Sequence, residues 1–357
     1  MPRVAIITSD RSVSLQTVSN HIKEVLEKNG IVDVKMILSP VANPVLYKDV
    51  STAIIVMTFD PAWVIPYCYL YHSLRYRGKQ VFFYATVEGR VKPPHGAEWI
   101  HRELSFIANS EYTRQKLSES GYRVEDIIYH GVNVKEIQSF KWKAQQLKEQ
   151  LGIGDNEFII GYIAGGYLRK GHDLFAEVIR IVEEKDPSIR FVVLTDKRGS
   201  EYYRKTQRAI ILPDFGKLSK GDVYGLYHMF DLYVQASLSE GFGLPVLEAL
   251  AAGKPVVHPD YKPLSEITTE ETSFRVEVVS VDYKREVGAI LYELHYYNPM
   301  EMAETILYAK DEVLKNRSDY KKKCIKRAKA FDYLKTYNKF TRIIISGGGL
   351  YDKTNRA

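Results

Sequence analysis

Two glutamates eight positions apart, Glu240 and Glu248, bracket a Gly-Phe-Gly turn in SEGFGLPVLEALAAGKPVV, residues 239 to 257. Gly241 and Gly243 permit tight backbone geometry and the close approach of a ligand. Pro245 suits the first turn of a helix, and Gly253 suits the position just past its end. Between them Val246, Leu247, Ala249, Leu250, Ala251 and Ala252 leave almost no polar surface, the pattern of a helix buried all round. Such a helix offers unpaired backbone N–H groups and a partial positive charge at its start, around Leu244, and so forms an anion site. Glu248 is its only ionisable group. A buried carboxylate without hydrogen-bond donors is costly, and the paired hydroxyls of a sugar or ribose are suitable donors. The competing reading is a carboxylate that complements the helix dipole or pairs with a lysine.

A second constellation is GGYLRKG, residues 165 to 171. Gly165 and Gly166 follow an apolar run and are expected to expose backbone N–H groups. Arg169 and Lys170 bring positive charge just before a helix, a combination suited to phosphate. The competing reading of both cations is a solvated loop. A P-loop would need a lysine after Gly171, where His172 stands.

The surrounding pattern shows what must hold these segments. Short apolar runs at 3–8, 32–38, 53–59, 80–87 and 104–110 read as buried parallel strands. Amphipathic or apolar helices at 15–30 and 61–77 alternate with them, and Ser110 caps another. DIIYHGVN (126–133) ends this half, with His130 read as structural. After a charged, helical connector (134–151) the alternation restarts. Strands are expected at 158–164, 190–195, 209–212, 231–237 and 254–259, with helices at 172–184, after a cap at Ser219, and at 244–252. From about 282 to 340 the sequence reads as helical. Two rounds of alternation predict an α/β chain with two Rossmann-like, doubly wound parallel sheets facing a cleft, with ligand at the carboxyl ends of the strands.

Composition narrows the function classes. The 357 residues exceed one simple core, and 45% apolar with 26% charged residues is ordinary for a globular protein. The net charge is +6 and neither half is a polycation, so no nucleic-acid partner is expected. Two cysteines, Cys68 and Cys324, suit a reducing cytosol. The chain runs straight into a strand, so no secretory leader is expected. The longest apolar stretch, 53–74, is broken by Asp60, Pro61 and Pro66. A cytoplasmic protein is therefore expected. The basic run KNRSDYKKKCIKRAKA (315–330) keeps peripheral contact with anionic lipid open beside the reading of a solvated helix face. The nine histidines show no metal-ligand spacing, and no Gly-x-Gly-x-x-Gly argues for a nicotinamide enzyme.

SEGFGLPVLEALAAGKPVV resembles the Glu-x7-Glu motif of the retaining family 4 glycosyltransferases, the group 1 enzymes of GT-B fold. FIANSEYTRQKLSESGYRVEDIIYHGVN (106–133), YIAGGYLRKGHDLFAEVI (162–179) and FGKLSKGDVYGLYHMFDLYVQAS (215–237) are similar to further segments of that family. The resemblance covers about residues 104 to 270 well. It implies an N-terminal acceptor domain (1–135) completed by a C-terminal helix (332–350), and a donor domain (152–331). It implies transfer of a sugar from a nucleotide diphosphate donor to an acceptor hydroxyl on a glycan, lipid or protein, without cofactor or metal. The Asp-x-Asp metal pair of the other common transferase fold is absent from the sequence.

By the same resemblance Glu248 would hold the ribose and Glu240 would contact the donor sugar as a catalytic group. Amides around Phe242, Gly243 and Leu244 would meet sugar and diphosphate, and Lys170 would neutralise the leaving group. Two positions depart from the family pattern. Gly165 stands where an arginine is usual, with Arg169 a substitute charge, and Glu88 stands near a usual histidine and is a second catalytic candidate. The glycine-rich turn after the first strand is replaced by SDRSVS, which makes Asp10, Arg11 and Ser12 the acceptor candidates. A nucleotide-sugar epimerase of the same plan and a non-catalytic nucleotide-sugar binder are the alternatives.

Overall fold

The computed structural model describes residues 3–10, 12–38, 43–91, 104–286 and 290–346. The chain forms two compact units. One holds Met1–Gly131, Val287–Leu291 and Phe331–Ala357; the other holds Val132–Glu286 and Tyr292–Ala330.

The first unit is built on six parallel strands: β1 (Arg3–Thr8), β2 (Asp33–Leu38), β3 (Thr52–Thr58), β4 (Gln80–Thr86), β5 (Ser105–Ala108) and β6 (Arg123–Ile127), in the order β2-β1-β3-β4-β5-β6. β1, β3 and β4 are buried along nearly their whole length, which explains their unbroken apolar sequences. Helices α1 (Val13–Lys28), α2 (Pro61–Tyr76) and α3 (Glu111–Glu119) make the crossovers. The Ser12 and Ser110 hydroxyls cap α1 and α3, accepting from Leu15 N–H and Thr113 N–H. β6 begins three residues before the expected DIIYHGVN segment, whose last residues are loop. His130 lies in that loop.

The C-terminal segment returns to this unit. The Tyr333 hydroxyl donates to Glu24 at 2.6 Å, and its ring lies 4.7 Å from that of His21. Tyr337 accepts from Gly131 N–H at 3.0 Å. Phe340, on the last helix (Asn338–Ile345), meets Tyr84 edge-on at 5.1 Å. Of the expected helix 332–350, positions 347–350 lie outside the described residues.

The second unit begins with helices α4 (Val134–Ser139) and α5 (Lys143–Gln150) in the charged connector. Its sheet comprises β7 (Phe158–Ile163), β8 (Ile189–Leu194), β9 (Ile210–Leu212), β10 (Leu232–Val234), β11 (Val256–Pro259) and β12 (Ser273–Val276), in the order β9-β8-β7-β10-β11-β12. All its ladders are parallel. Helices α6 (His172–Lys185), α7 (Lys220–Met229) and α8 (Leu244–Ala251) connect them, and the Ser219 hydroxyl caps α7. Helix α9 (Pro299–Ala330) follows, kinked at Asn316, where φ −131° and ψ 29° leave the helical region.

One expectation is overturned here. Residues after 282 are not all helical: β13 (Val278–Lys284) and β14 (Leu291–Tyr297) pair antiparallel before α9 begins at Pro299. β13 is largely exposed and β14 largely buried. β13 carries a period-2 alternation over residues 279–284, the pattern of a strand, whereas β14 (LYELHYY) does not alternate, its burial being nearly continuous.

Two six-stranded parallel sheets of this order, each joined by helical crossovers into a doubly wound unit, are the plan of the GT-B fold.

Candidate functional site

In each sheet the strand order reverses once, and a ligand site is expected where the loops on either side of that point part. In the second unit the reversal falls between β7 and β10. The loop after β7 carries Gly165 to Gly171, and the loop after β10 carries Gln235 to Gly243. Topology therefore brings together the two segments singled out in the sequence.

The loops are tied backbone to backbone. Arg169 C=O accepts from Leu238 N–H at 2.8 Å and from Ser239 N–H at 3.2 Å. Gly171, at φ 63°, packs so closely that a Cβ there would lie 2.5 Å from Ala236 C=O. The Tyr162 hydroxyl donates to Lys170 C=O at 2.5 Å. This zipper places Lys170 Nζ 2.5 Å from Glu240 Oε1, with both side chains nearly buried. Gln235 Nε2 donates to the same oxygen at 2.7 Å, and Tyr233 donates to Gln235 Oε1 at 3.0 Å. Burial pushes the Glu240 carboxyl upward, but Lys170, Arg169 and a hydrogen bond from Ser237 outweigh it and hold the group below its ordinary value. Glu240 is thus a buried, ionised carboxylate paired with a buried cation.

Helix α8 begins beside Glu240. Gly243 is its N-cap at φ 98°, and a Cβ there would meet Leu264 Cδ2 at 2.8 Å, so only glycine fits. Val246 and Leu247 N–H return to Gly243 C=O, whereas the N–H groups of Gly243 and Leu244 have no partner among the described residues. Phe242 is buried. One turn on, Glu248 is half-buried and forms no ion pair among the described residues. The Tyr227 hydroxyl lies beside it without reaching full hydrogen-bond geometry. Burial raises the Glu248 carboxyl to about 7, opposed by Tyr227 and Lys220 and assisted by Glu136. The two motif carboxylates therefore differ: one is charged and paired, the other poised near neutrality.

Gly166 has a different job from the one its place in a glycine loop suggests. Its N–H donates to Asp196 Oδ2 at 2.9 Å, and a Cβ would lie 2.3 Å from Gly199 N. It is a packing glycine of the β7 and β8 loops. At Gly165 a Cβ would sit 3.2 Å from the Tyr167 ring and 3.3 Å from the Phe215 ring, so those rings take the room a longer side chain would need. The Gly165 carbonyl is fixed by His172 Nε2 at 2.9 Å, whose other nitrogen meets the Tyr203 hydroxyl at 2.7 Å. Arg169 lies over the rings of Tyr167 and Tyr292, at 5.6 and 5.3 Å.

The remaining candidates belong to the first unit. Its sheet reverses between β1 and β3, and Asp10 and Ser12 follow β1 at that point. Asp10 is exposed, Ser12 is committed to its cap, and Arg11 lies outside the described residues. Glu88 follows β4 and is half-buried. His130 is buried between Tyr84 and Thr86, at 2.7 and 3.2 Å. Because Tyr84 donates to Ile128 C=O, His130 Nδ1 carries the proton toward Tyr84 and Nε2 accepts from Thr86. Burial lowers its pKa to about 3, so it stays neutral.

Gln235, Glu286, Tyr292 and His295 join the site unforeseen. Gln235 carried a usable signal, a polar residue in the apolar run DLYVQAS. The other three sit on or beside the hairpin that was read as helix. Among the described residues no group of three or more His, Cys, Asp or Glu side chains could hold a metal ion, and no helix is long and apolar enough to cross a membrane.

Residues 143–285, most of the second unit, match the family model described as glycosyl transferases group 1. The chain is 28% identical over 345 residues to an uncharacterized glycosyltransferase of Sulfolobus islandicus rod-shaped virus 1, covering 95% of this chain and 99% of that protein. The crystal structure of a glycosyltransferase from Rickettsia africae superposes with a TM-score of 0.72 at 17% identity, covering 96% of this chain and 99% of that one. Anabaena HepE, solved in complex with UDP and glucose, superposes at 0.71 and 14% identity, covering 97% and 100%. These similarities support a glycosyltransferase of the group 1 superfamily.

Proposed function

We propose that the protein is a retaining glycosyltransferase that moves a sugar from a nucleotide diphosphate donor to an acceptor hydroxyl, without a metal. The observation that carries this reading is the buried Lys170–Glu240 pair beside the open N-terminus of α8. A diphosphate against the amides of Gly243 and Leu244 would draw on the helix dipole and share Lys170 with Glu240. Charge that develops on the leaving phosphate would meet a cation already desolvated and in place. Glu240, ionised, would orient sugar hydroxyls and stabilise positive charge at the ring. Glu248, ionised on binding, would accept from ribose hydroxyls. The departing phosphate would take the acceptor proton, and attack on the same face would retain configuration.

HepE, the structural neighbour with UDP and glucose bound, supports a nucleotide-sugar donor of this general kind. The acceptor is proposed as a glycan, lipid or protein hydroxyl, with Asp10, Arg11 and Ser12 as its candidate contacts and Glu88 as a second catalytic candidate. The protein is proposed to act in the cytoplasm, with peripheral contact at anionic lipid through the basic stretch of α9.

A thermal-shift screen over UDP-, GDP-, ADP- and TDP-sugars should yield one stabilising class. Lys170→Ala and Glu248→Ala should each weaken that shift, and EDTA should leave turnover unchanged. Release of nucleoside diphosphate should require an acceptor. A new sugar formed without acceptor would indicate an epimerase instead, and binding without turnover a non-catalytic binder. A shift untouched by both substitutions would reject the site.

A further inference from the structure

The β13–β14 hairpin braces the two loops of the candidate site at several points. Glu286, just beyond β13, accepts from Leu168 N–H at 2.6 Å and from Arg169 N–H at 3.4 Å. Its carboxylate is nearly buried and is closed by Arg198 at 2.9 Å. Tyr292, near the start of β14, is buried and presents its ring to the Arg169 guanidinium at 5.3 Å. Further along β14, His295 N–H donates to Leu238 C=O at 2.8 Å, and its ring stacks on Tyr261 at 4.2 Å. Leu238 stands two residues before Glu240.

These contacts converge on Arg169. Its backbone is held by Glu286 and by the zipper to Leu238. Its guanidinium lies 5.6 Å from the Tyr167 ring and 5.3 Å from the Tyr292 ring and acts on Glu240 electrostatically. A guanidinium against aromatic faces keeps its charge while losing its freedom. A loop arginine without such support would sample many rotamers and lose much of any ordering advantage on binding an anion.

We propose that Tyr292 and Glu286 are positioning residues that hold Arg169 as a second, pre-ordered cation for the donor diphosphate beside Lys170. This rests on the donor-site reading above. Glu286 sets the backbone of Leu168 and Arg169, and Tyr292 sets the direction of the guanidinium. Neither touches the donor; both act through Arg169.

A double-mutant cycle tests this. UDP, GDP, ADP and TDP are titrated by calorimetry against the full chain, and the tightest is carried through the variants. Arg169→Met should weaken binding about tenfold and Tyr292→Leu about fivefold, while Tyr292→Phe, which keeps the ring, should bind like the parent. Tyr292→Leu added to Arg169→Met should cost nothing more. Glu286→Gln should weaken binding about threefold on the same terms. Unchanged affinity in Tyr292→Leu, losses that simply add, or a Tyr292→Phe as weak as Tyr292→Leu would each overturn the proposal. Lys170→Ala separates the two levels. If it abolishes binding while the Tyr292 variants do nothing, only the positioning role fails. If the parent chain binds none of the four nucleotides, the donor site and the positioning role fall together.

Discussion

Each unit carries a buried polar network at the carboxyl ends of its strands, and the two are built to opposite rules. In the first, Tyr84, His130, Thr86 and Asn109 pass hydrogen bonds in one consistent direction: Asn109 Nδ2 to Thr86, Thr86 to His130, His130 to Tyr84, Tyr84 to Ile128 C=O. Every member is neutral and satisfied from within. In the second, Tyr233 and Gln235 lead to Glu240 and Lys170, a charged pair whose desolvation is costly and is only partly repaid by mutual attraction. Near it, among the described residues, lie a carboxylate that forms no ion pair and a helix start whose first N–H groups have no acceptor. A neutral, closed network rigidifies a fold. A charged, incompletely closed one is what a site awaiting an anion and hydroxyls requires.

The sharpest way to break this contrast is Lys170→Ala. It leaves Glu240 buried without its cation and should cost about 3 to 5 kcal/mol of stability, measured by urea unfolding at pH 7.

His130→Ala comes next. It opens a satisfied neutral network and should cost about 2 to 3 kcal/mol, with nucleotide affinity unchanged. The pH profile gives a second check. The folded pKa of about 3 lies below the usual 6.5, so the unfolded chain binds the proton more readily. The contribution of this group is complete above 6.5 and is lost as pH falls toward 3. The variant should lack that limb of the stability curve.

Glu248→Gln should move the other way. The folded carboxyl, at about 7 against a usual 4.5, binds its proton more tightly than the unfolded one. Its penalty grows as pH rises from 4.5 to 7 and is constant above. Glu248→Gln should therefore match the parent near pH 4 and be more stable at pH 8, by at most about 3 kcal/mol. Donor affinity in the parent should rise through pH 7 as the carboxylate ionises, and that rise should vanish in the variant. A stabilising substitution that weakens binding would mark Glu248 as strained for function.

The smallest effect belongs to Ser12→Ala. Loss of the α1 cap should cost about 1 kcal/mol. A larger effect on acceptor KM than on stability would restore Ser12 as an acceptor contact; a purely structural loss would confine it to the cap.

Much of this could be read before any coordinates. The alternation of apolar runs and amphipathic helices reports local backbone state and burial, so the succession of strands and helices along each half, the caps at Ser110 and Ser219, and helix α8 with its glycine entry were all legible. The hairpin was not, because only β13 alternates, over residues 279–284, while its partner β14 is buried along most of its length and carries no period-2 signal. β10 is shorter than its apolar run suggests, ending at Val234 rather than at 237, with Gln235 N–H still donating to Val257 C=O at 2.8 Å before the chain turns towards Glu240.

The sequence by itself determined that two glutamates, a lysine and a glycine-started helix would be present, since residue type and local spacing decide caps, turns and helix faces. Only the tertiary structure decided their partners. Lys170 meets Glu240 across 70 positions, Gly166 spends its amide on Asp196, and Arg169 finds Tyr292. Those pairings follow from strand order and loop packing, which join segments remote along the chain and leave no periodic trace in it.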